Sequence, residues 1–262
     1  MSSESLTYTA AEGAATITLN RPHVMNALDA EMIARLRAVC EEARDDAAVR
    51  VIVLRGNGPA FLAGGDVALF HANLPALPAM VEKLAAELHH AIVALREAAK
   101  PVLASVHGAV AGAGISLLAA ADLAIAAADT KFTLAYSKIA TSPDGGSTYF
   151  LPRIVGTRKA LELMMLSDTF DAQTALDAGL VNWVVPDAEL ATATGKIVDR
   201  LVNGPTVAYG ETKALVNRTF ERPLTAQLAA EAQAFGRCAR TQDLAEGVTA
   251  FVEKRKPRFR GE

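Results

Sequence analysis

Two long apolar runs constrain the fold most strongly. The segments are VRVIVLRG, which ends at Gly56, and PVLASVHG, which ends at Gly108. Strands that are buried on both faces have this pattern, and such strands are typical of parallel sheets covered by helices. Helical patterns alternate with these runs, for example over Val81–Ala98 and Gly112–Ala120. The first two-thirds of the chain is therefore predicted to be α/β with mostly parallel strands.

The pattern changes after about residue 145. The remaining sequence is mostly helical in period, and LVNWVV is the only strand-like segment within it. The chain of 262 residues fits one large domain or a core with a small appendage. We therefore predict a core over residues 1–195 and a C-terminal helical region over residues 196–262.

Composition excludes several classes of protein. A formal net charge of −3 and an aromatic content of 5% disfavour a nucleic-acid partner. The two cysteines are too few for a disulfide framework or a zinc site, and no His-rich metal motif is present. The chain also lacks a P-loop, and GAGISL lacks the third glycine of a dinucleotide motif. We expect no metal and no nucleotide cofactor.

One segment is long enough to cross a membrane. Val102–Ala121 is apolar, but it contains His107 and several glycines, and Asp122 follows directly. We therefore interpret it as a buried strand, turn and helix of a soluble protein. No secretory signal pattern is visible at the start of the sequence. The expected location is the cytoplasm, with no membrane partner.

Two glycine-rich loops are the first candidates for chemistry. FLAGGD covers Phe61–Asp66, and GAVAGAGIS covers Gly108–Ser116 and leads into a helix. Small residues leave main-chain N–H groups open to a ligand, and a helix N-terminus adds partial positive charge. Two N–H groups that converge from such loops form an oxyanion hole. The alternative is that these are tight turns needed only for packing.

Several motifs occur together in a characteristic order. LNRPHVMNAL, AFLAGGDV, KPVLASVHGAVAGAGISLLAAADLAIAA and KFTLAYSKIATSPDGGSTYFLPRIVG resemble the crotonase superfamily, also called the enoyl-CoA hydratase/isomerase family. The resemblance covers roughly residues 6–260. It implies a spiral of ββα turns and a C-terminal helical region that builds homotrimers, often stacked as hexamers. It also implies an acyl-CoA thioester as substrate, so that coenzyme A is part of the substrate and no separate cofactor is needed.

The same resemblance implies roles for particular residues. The thioester carbonyl would accept hydrogen bonds from the N–H groups of Gly65 and Ala113. Asp66 would mainly hold the loop that carries Gly65. The positions that match the family's substrate-binding motifs are Met25, Ala27, Ala63, Gly64, Asp66, Val67, Val110, Gly112, Ser116, Tyr136 and Pro143.

The expected catalytic carboxylates differ from the hydratase pattern. Family hydratases use two glutamates around a water molecule, and these positions hold Ser116 and Tyr136 here. Neither side chain replaces a carboxylate at neutral pH, since the ordinary pKa of tyrosine is about 10. Asp144, in SPDGGS, matches the single catalytic aspartate of family members that shift double bonds. An ordinary Pro-Asp-Gly turn is the alternative.

The favoured function is a 3-enoyl to 2-enoyl-CoA double-bond shift, in which Asp144 moves the proton. Weak hydration stays open. Asp144 could instead act as a nucleophile on an aryl-acyl-CoA, as the resemblance to 4-chlorobenzoyl-CoA dehalogenases implies. A third hypothesis is an acyl-CoA binder without catalytic activity.

Two further segments carry open alternatives. Phe70–Met80 has two prolines and no clear period, so it is either a mobile loop over the acyl site or a plain surface loop. The basic tail EKRKPRFRG either forms a solvated or interface charge run or contacts the phosphates of coenzyme A.

Overall fold

The computed structural model describes residues 4–262, and within them ten strands and eleven α-helices make up the fold. The strands are β1 (Leu6–Ala11), β2 (Ala14–Leu19), β3 (Val51–Gly56), β4 (Ala60–Leu62), β5 (Val102–Val106), β6 (Ala109–Ala111), β7 (Leu123–Ala127), β8 (Lys131–Thr133), β9 (Phe170–Asp171) and β10 (Trp183–Val185). The helices are α1 (Ala30–Asp45), α2 (Val67–Ala72), α3 (Leu77–Glu97), α4 (Ala113–Ala120), α5 (Ser147–Ile154), α6 (Thr157–Leu166), α7 (Ala172–Asp177), α8 (Leu190–Val202), α9 (Thr206–Asn217), α10 (Leu224–Cys238) and α11 (Gln242–Val252).

The strands form two separate sheets, and both gain strands as the chain proceeds. The six-stranded sheet has the order β1-β2-β3-β5-β7-β10, and the four-stranded sheet has the order β4-β6-β8-β9. From β3 to β8, consecutive strands alternate between the two sheets, so each turn of chain adds one strand to both. Neighbouring strands are parallel except for the pairs β1–β2 and β8–β9. The predicted α/β class and ββα spiral are confirmed.

The apolar stretch Val102–Ala121 lies at the centre of this arrangement. It forms β5, β6 and α4, and all eight residues of α4 are buried. The predicted order of strand, turn and helix is therefore confirmed. Within residues 4–262, no helix has the length and apolar character needed to cross a bilayer.

The segment Phe70–Met80 differs from its prediction. It is neither a mobile loop nor a plain surface loop, because it consists of the end of α2, a 3-10 helix (Leu74–Ala76) and the start of α3. Helix α3 therefore begins at Leu77 rather than Val81. Pro75 and Pro78 occupy the first turns of their helices, where the missing N–H costs nothing. Proline here marks helix starts, not a loop.

The C-terminal helices pack on the spiral. Helix α8 contacts β3, β5 and β7, and its Leu201 joins a small core cluster with Val51 and Val53. Residues 195 and 196 both lie within α8, so a boundary at that point cuts a helix. The division into two regions and the oligomerisation role of residues 196–262 stay predictions.

Helix α9 is attached to the spiral through a buried lysine. The Lys213 ammonium donates to the main-chain oxygens of Leu95 (2.7 Å) and Lys100 (3.2 Å) and lies 2.8 Å from Asp122 Oδ2. Gly210 lies one turn earlier, and a Cβ there would come within 2.5 Å of the main-chain oxygen of Ala99. The helix therefore packs closely on the end of α3.

We expect Lys213→Ala to destabilise the protein by about 3 kcal/mol, because it leaves the Asp122 carboxylate without its closest cation. Lys196→Ala is the matched control, since Lys196 is exposed on α8 and should change stability by less than about 0.5 kcal/mol. Urea unfolding followed by circular dichroism measures both values. Equal losses in the two variants would contradict this role of Lys213.

Candidate active site

The two glycine-rich loops meet through their main chains. Strands β4 and β6 are parallel neighbours, so their carboxyl ends reach the same edge of the small sheet. A Cβ on Gly112 would lie 3.5 Å from the Gly64 Cα, and a Cβ on Gly64 would lie 3.3 Å from the main-chain oxygen of Ala111. Gly64 and Gly112 have φ of +98° and +52°, values that favour glycine. A residue with a side chain at either position would be strained by this backbone conformation.

Each loop presents one main-chain donor to a shared cavity. Ala113 is the first residue of α4, so its N–H has no partner within the helix. Within residues 4–262, neither this N–H nor that of Gly65 donates a hydrogen bond. Gly65 and Ala113 line the same cavity of about 500 Å³. Two open donors beside a helix N-terminus form the arrangement that stabilises a developing oxyanion.

The cavity is mostly apolar. Side chains from α1, α2, α3 and the segment after β8 form its walls, and it suits a hydrocarbon or aryl group next to a polar head. Its apolar lining residues include Leu28, Ile33, Val67, Phe70, Leu77, Val81, Leu84, Leu88, Leu134 and Ile139.

Asp144 lies at the wall of this cavity and is held from two sides. The Tyr136 hydroxyl donates to Asp144 Oδ1 at 2.6 Å, and the Ser116 hydroxyl donates to the Asp144 main-chain oxygen at 2.9 Å. Ser116 in turn bonds Ser147 at 2.7 Å, and both serines are fully buried. The predicted catalytic carboxyl therefore faces the cavity with a fixed main chain.

Tyr136 stays a neutral hydrogen-bond donor. Burial and the neighbouring Asp144 carboxylate both disfavour a phenolate and raise the pKa of Tyr136 well above its ordinary value. The phenol therefore keeps its proton at neutral pH. It donates a hydrogen bond but does not act as a base.

Asp66 is occupied by structural contacts. Its Oδ1 accepts the N–H of Leu69 and caps α2, while its Oδ2 lies 3.2 Å from the Arg21 guanidinium. Arg21 also pairs with Asp29, the N-cap of α1. These contacts join the Gly65 loop to α1 and α2.

The predicted site residues divide into two groups. Those that line the cavity with Asp144, Gly65 and Ala113 are Ala63, Gly64, Val67, Gly112 and Tyr136. Those that do not line it are Met25, Ala27, Asp66, Val110, Ser116 and Pro143.

Two of the outlying residues have no access to a ligand. Val110 lies inside β6 and Ser116 inside α4, and both side chains are fully buried. Ser116 contacts the Asp144 main chain instead of the cavity. Met25 is exposed, and its main-chain oxygen accepts the N–H of Ala63, so it lies beside the loop.

Sequence reasoning missed several residues of this region. Phe70, Glu82 and Lys138 line the cavity, but Phe70 was assigned to a loop, and neither Glu82 in its predicted helix nor Lys138 in its family motif was given a role. Asn26 is fully buried and bonds the main-chain oxygens of Asn57 and Ala60. A polar residue next to the apolar pair Ala27 and Leu28 is the signal that could have found it.

The fold and the site define the class of protein. The sequence matches the family described as "Enoyl-CoA hydratase/isomerase" over residues 9–262. The chain therefore belongs to the enoyl-CoA hydratase/isomerase family and is an acyl-CoA enzyme of that family. The predicted relationship to the crotonase superfamily is confirmed.

Relatives with different activities resemble the chain over its whole length. It is 39% identical to a Rhodobacter capsulatus protein named "Probable enoyl-CoA hydratase", with 100% of both chains covered. It is 34% identical to the 1,2-epoxyphenylacetyl-CoA isomerase of Escherichia coli, over 95% of this chain and 96% of the relative. The crystal structure of an enoyl-CoA hydratase from Polaromonas sp. JS666 superimposes with a TM-score of 0.92, at 33% identity over 97% of this chain and 99% of that one.

We expect Gly114→Ala to disrupt the start of α4, because the added methyl would lie 2.4 Å from the main-chain oxygen of Leu62. The cost should be about 1–3 kcal/mol, together with a loss of activity. Gly195→Ala adds the same methyl to α8, where no other atom lies within 4 Å of it. The stability of the protein should therefore be unchanged or slightly higher. Thermal unfolding compares the two variants, and equal stability would contradict the predicted clash.

Proposed function

We propose that the protein is an isomerase that moves the double bond of an acyl-CoA from the 3 to the 2 position. The observation that carries this proposal is that one carboxylate, Asp144, shares a cavity with the open N–H groups of Gly65 and Ala113. The positions where family hydratases carry glutamates hold Ser116 and Tyr136. The site is thus suited to move a proton within the substrate.

The reaction begins at the carbon next to the thioester carbonyl. Asp144 removes a proton there, and the electron pair of the broken C–H bond moves toward the carbonyl oxygen. The N–H groups of Gly65 and Ala113 stabilise that charge, each by roughly 2.7–4 kcal/mol. Asp144 then returns the same proton two carbons further along, as the double bond moves into conjugation. Atoms and charge balance without a co-reactant.

Hydration needs a second group that activates water, and the geometry disfavours it. Ser116 is buried and its proton is used on the Asp144 main chain. Tyr136 keeps its proton because its pKa is raised. The E. coli relative named an isomerase supports the same choice, while the relatives named hydratases leave slow hydration as a side activity.

Glu82 is the competing carboxylate, because it also lines the cavity from α3. It is exposed to solvent and forms no salt bridge or side-chain hydrogen bond within the described residues. A solvated carboxylate on the outer helix is a weaker candidate for proton transfer than the fixed carboxyl of Asp144. Substituting each of the two carboxylates in turn therefore tests which of them moves the proton.

We expect Asp144→Asn to lower kcat for 3-enoyl-CoA isomerisation by about 100- to 10,000-fold, since the general base is lost. Affinity for the acyl-CoA should stay within a few-fold, because the donors and the apolar walls are unchanged. Glu82→Gln should lower kcat by less than about tenfold. Ultraviolet absorbance of the conjugated product measures both, and full activity of the Asp144 variant would overturn the proposal.

A substrate screen separates the remaining hypotheses. With 3-enoyl, 2-enoyl and aryl-acetyl CoA esters, we expect fast conversion of the 3-enoyl ester and slow hydration of the 2-enoyl ester. A covalent adduct on Asp144, detected by mass spectrometry after rapid quench, would support the nucleophilic alternative instead. Binding of every ester without turnover would support a non-catalytic binder.

A further inference from the structure

Two hydroxyl side chains contact Asp144, and they occupy the positions where family hydratases carry glutamates. We infer that Tyr136 is a positioning residue that binds one carboxylate oxygen of Asp144, so that the other oxygen, Oδ2, carries the proton. This inference rests on the proposed isomerase function and adds that the two carboxylate oxygens of Asp144 have different roles.

The Tyr136 contact is short and directed. Its hydroxyl lies 2.6 Å from Asp144 Oδ1, within the range of charge-assisted O–H···O⁻ bonds. No side-chain hydrogen bond to Asp144 Oδ2 is formed within residues 4–262. Because both Tyr136 and Asp144 line the cavity, the hydrogen bond is formed where the acyl group would lie.

The backbone around Tyr136 is built to hold it in place. Tyr136 begins a 3-10 helix (Tyr136–Ile139) that lies between Ala135 and Ala140, and both alanines have a φ of +58°. Residues with a side chain rarely adopt this left-handed conformation, and each such residue costs about 1–2 kcal/mol. Packing therefore holds one strained residue at each end of the 3-10 helix that carries the Tyr136 phenol.

The protons of the hydroxyl network allow one consistent assignment. Ser116 gives its only proton to the Asp144 main-chain oxygen, so Ser147 must donate the bond between the two serines. Tyr136 gives its only proton to Asp144 Oδ1, so the 3.3 Å approach between the Tyr136 and Ser116 hydroxyls carries no proton of its own. Ser116 therefore fixes the main chain of Asp144, and Tyr136 fixes its side chain.

This assignment has one consequence for the reaction. A carboxylate has two equivalent oxygens, and a bond to one of them orients the other toward the substrate. Loss of the bond should therefore lower kcat and leave substrate binding largely unchanged, and a residue that only fills space would not produce that split.

The test compares Tyr136→Phe with the wild type, using a 3-enoyl-CoA substrate. We expect kcat to fall by about 10- to 100-fold while KM stays within about threefold, because the bond orients the base and not the substrate. Tyr149→Phe is the matched control, because the Tyr149 hydroxyl bonds Glu221 outside the active-site cavity. It should leave kcat and KM unchanged.

A second variant protects the test from a folding defect. Incorporating a fluorinated tyrosine at position 136 keeps both the shape of the ring and its hydroxyl donor. This variant should keep kcat within a few-fold of the wild type, in contrast to Tyr136→Phe.

The outcomes separate the inference from the proposed function. A wild-type kcat in Tyr136→Phe, or an equal loss of kcat in both Tyr136 variants, with Asp144→Asn inactive, would overturn the inference and leave the isomerase proposal standing. An active Asp144→Asn enzyme would overturn both. A low kcat in Tyr136→Phe that the fluorinated tyrosine restores, together with an inactive Asp144→Asn enzyme, supports both.

Discussion

The contact between the Gly64 and Gly112 main chains fixes the rest of the site. Both residues have positive φ, so glycine allows the loop conformations in which Gly65 and Ala113 line one cavity. The parallel pairing of β4 with β6 brings both loops to the same sheet edge. The proposed oxyanion donors are thus main-chain groups whose position is determined by strand pairing and glycine conformation.

The side chains around these donors determine which reaction the donors serve. Two hydroxyls stand where the resemblance places the glutamates of family hydratases, and they hold Asp144 through two hydrogen bonds. One fixed carboxylate beside an apolar wall is the basis of the proposed transfer of a proton between two carbons of the substrate. Under this proposal, Ser116 and Tyr136 distinguish the site from that of a hydratase with the same fold.

The sequence predicted the structure best where a residue pattern has a single structural explanation. Continuous apolar runs predicted buried parallel strands, and the glycine-rich loops predicted open main-chain donors. The sequence was misleading at Pro75 and Pro78, which start helices instead of marking a loop. The sequence could not predict the hydrogen bond from Tyr136 to Asp144, since this bond depends on two irregular segments whose paths follow from packing. The burial of Ser116 likewise depends on the position of α4 beneath the Asp144 loop.

In the proposed reaction, one carboxylate moves one proton between two carbons of the acyl group. A 3-enoyl-CoA deuterated at the carbon next to the carbonyl tests this directly, by mass spectrometry of the product after a single turnover. Deuterium is expected at the γ-carbon of the 2-enoyl product, because Asp144 would return the atom that it removed. Rapid formation of product with only solvent hydrogen at that carbon, or of a hydroxyacyl product, would rule out this transfer.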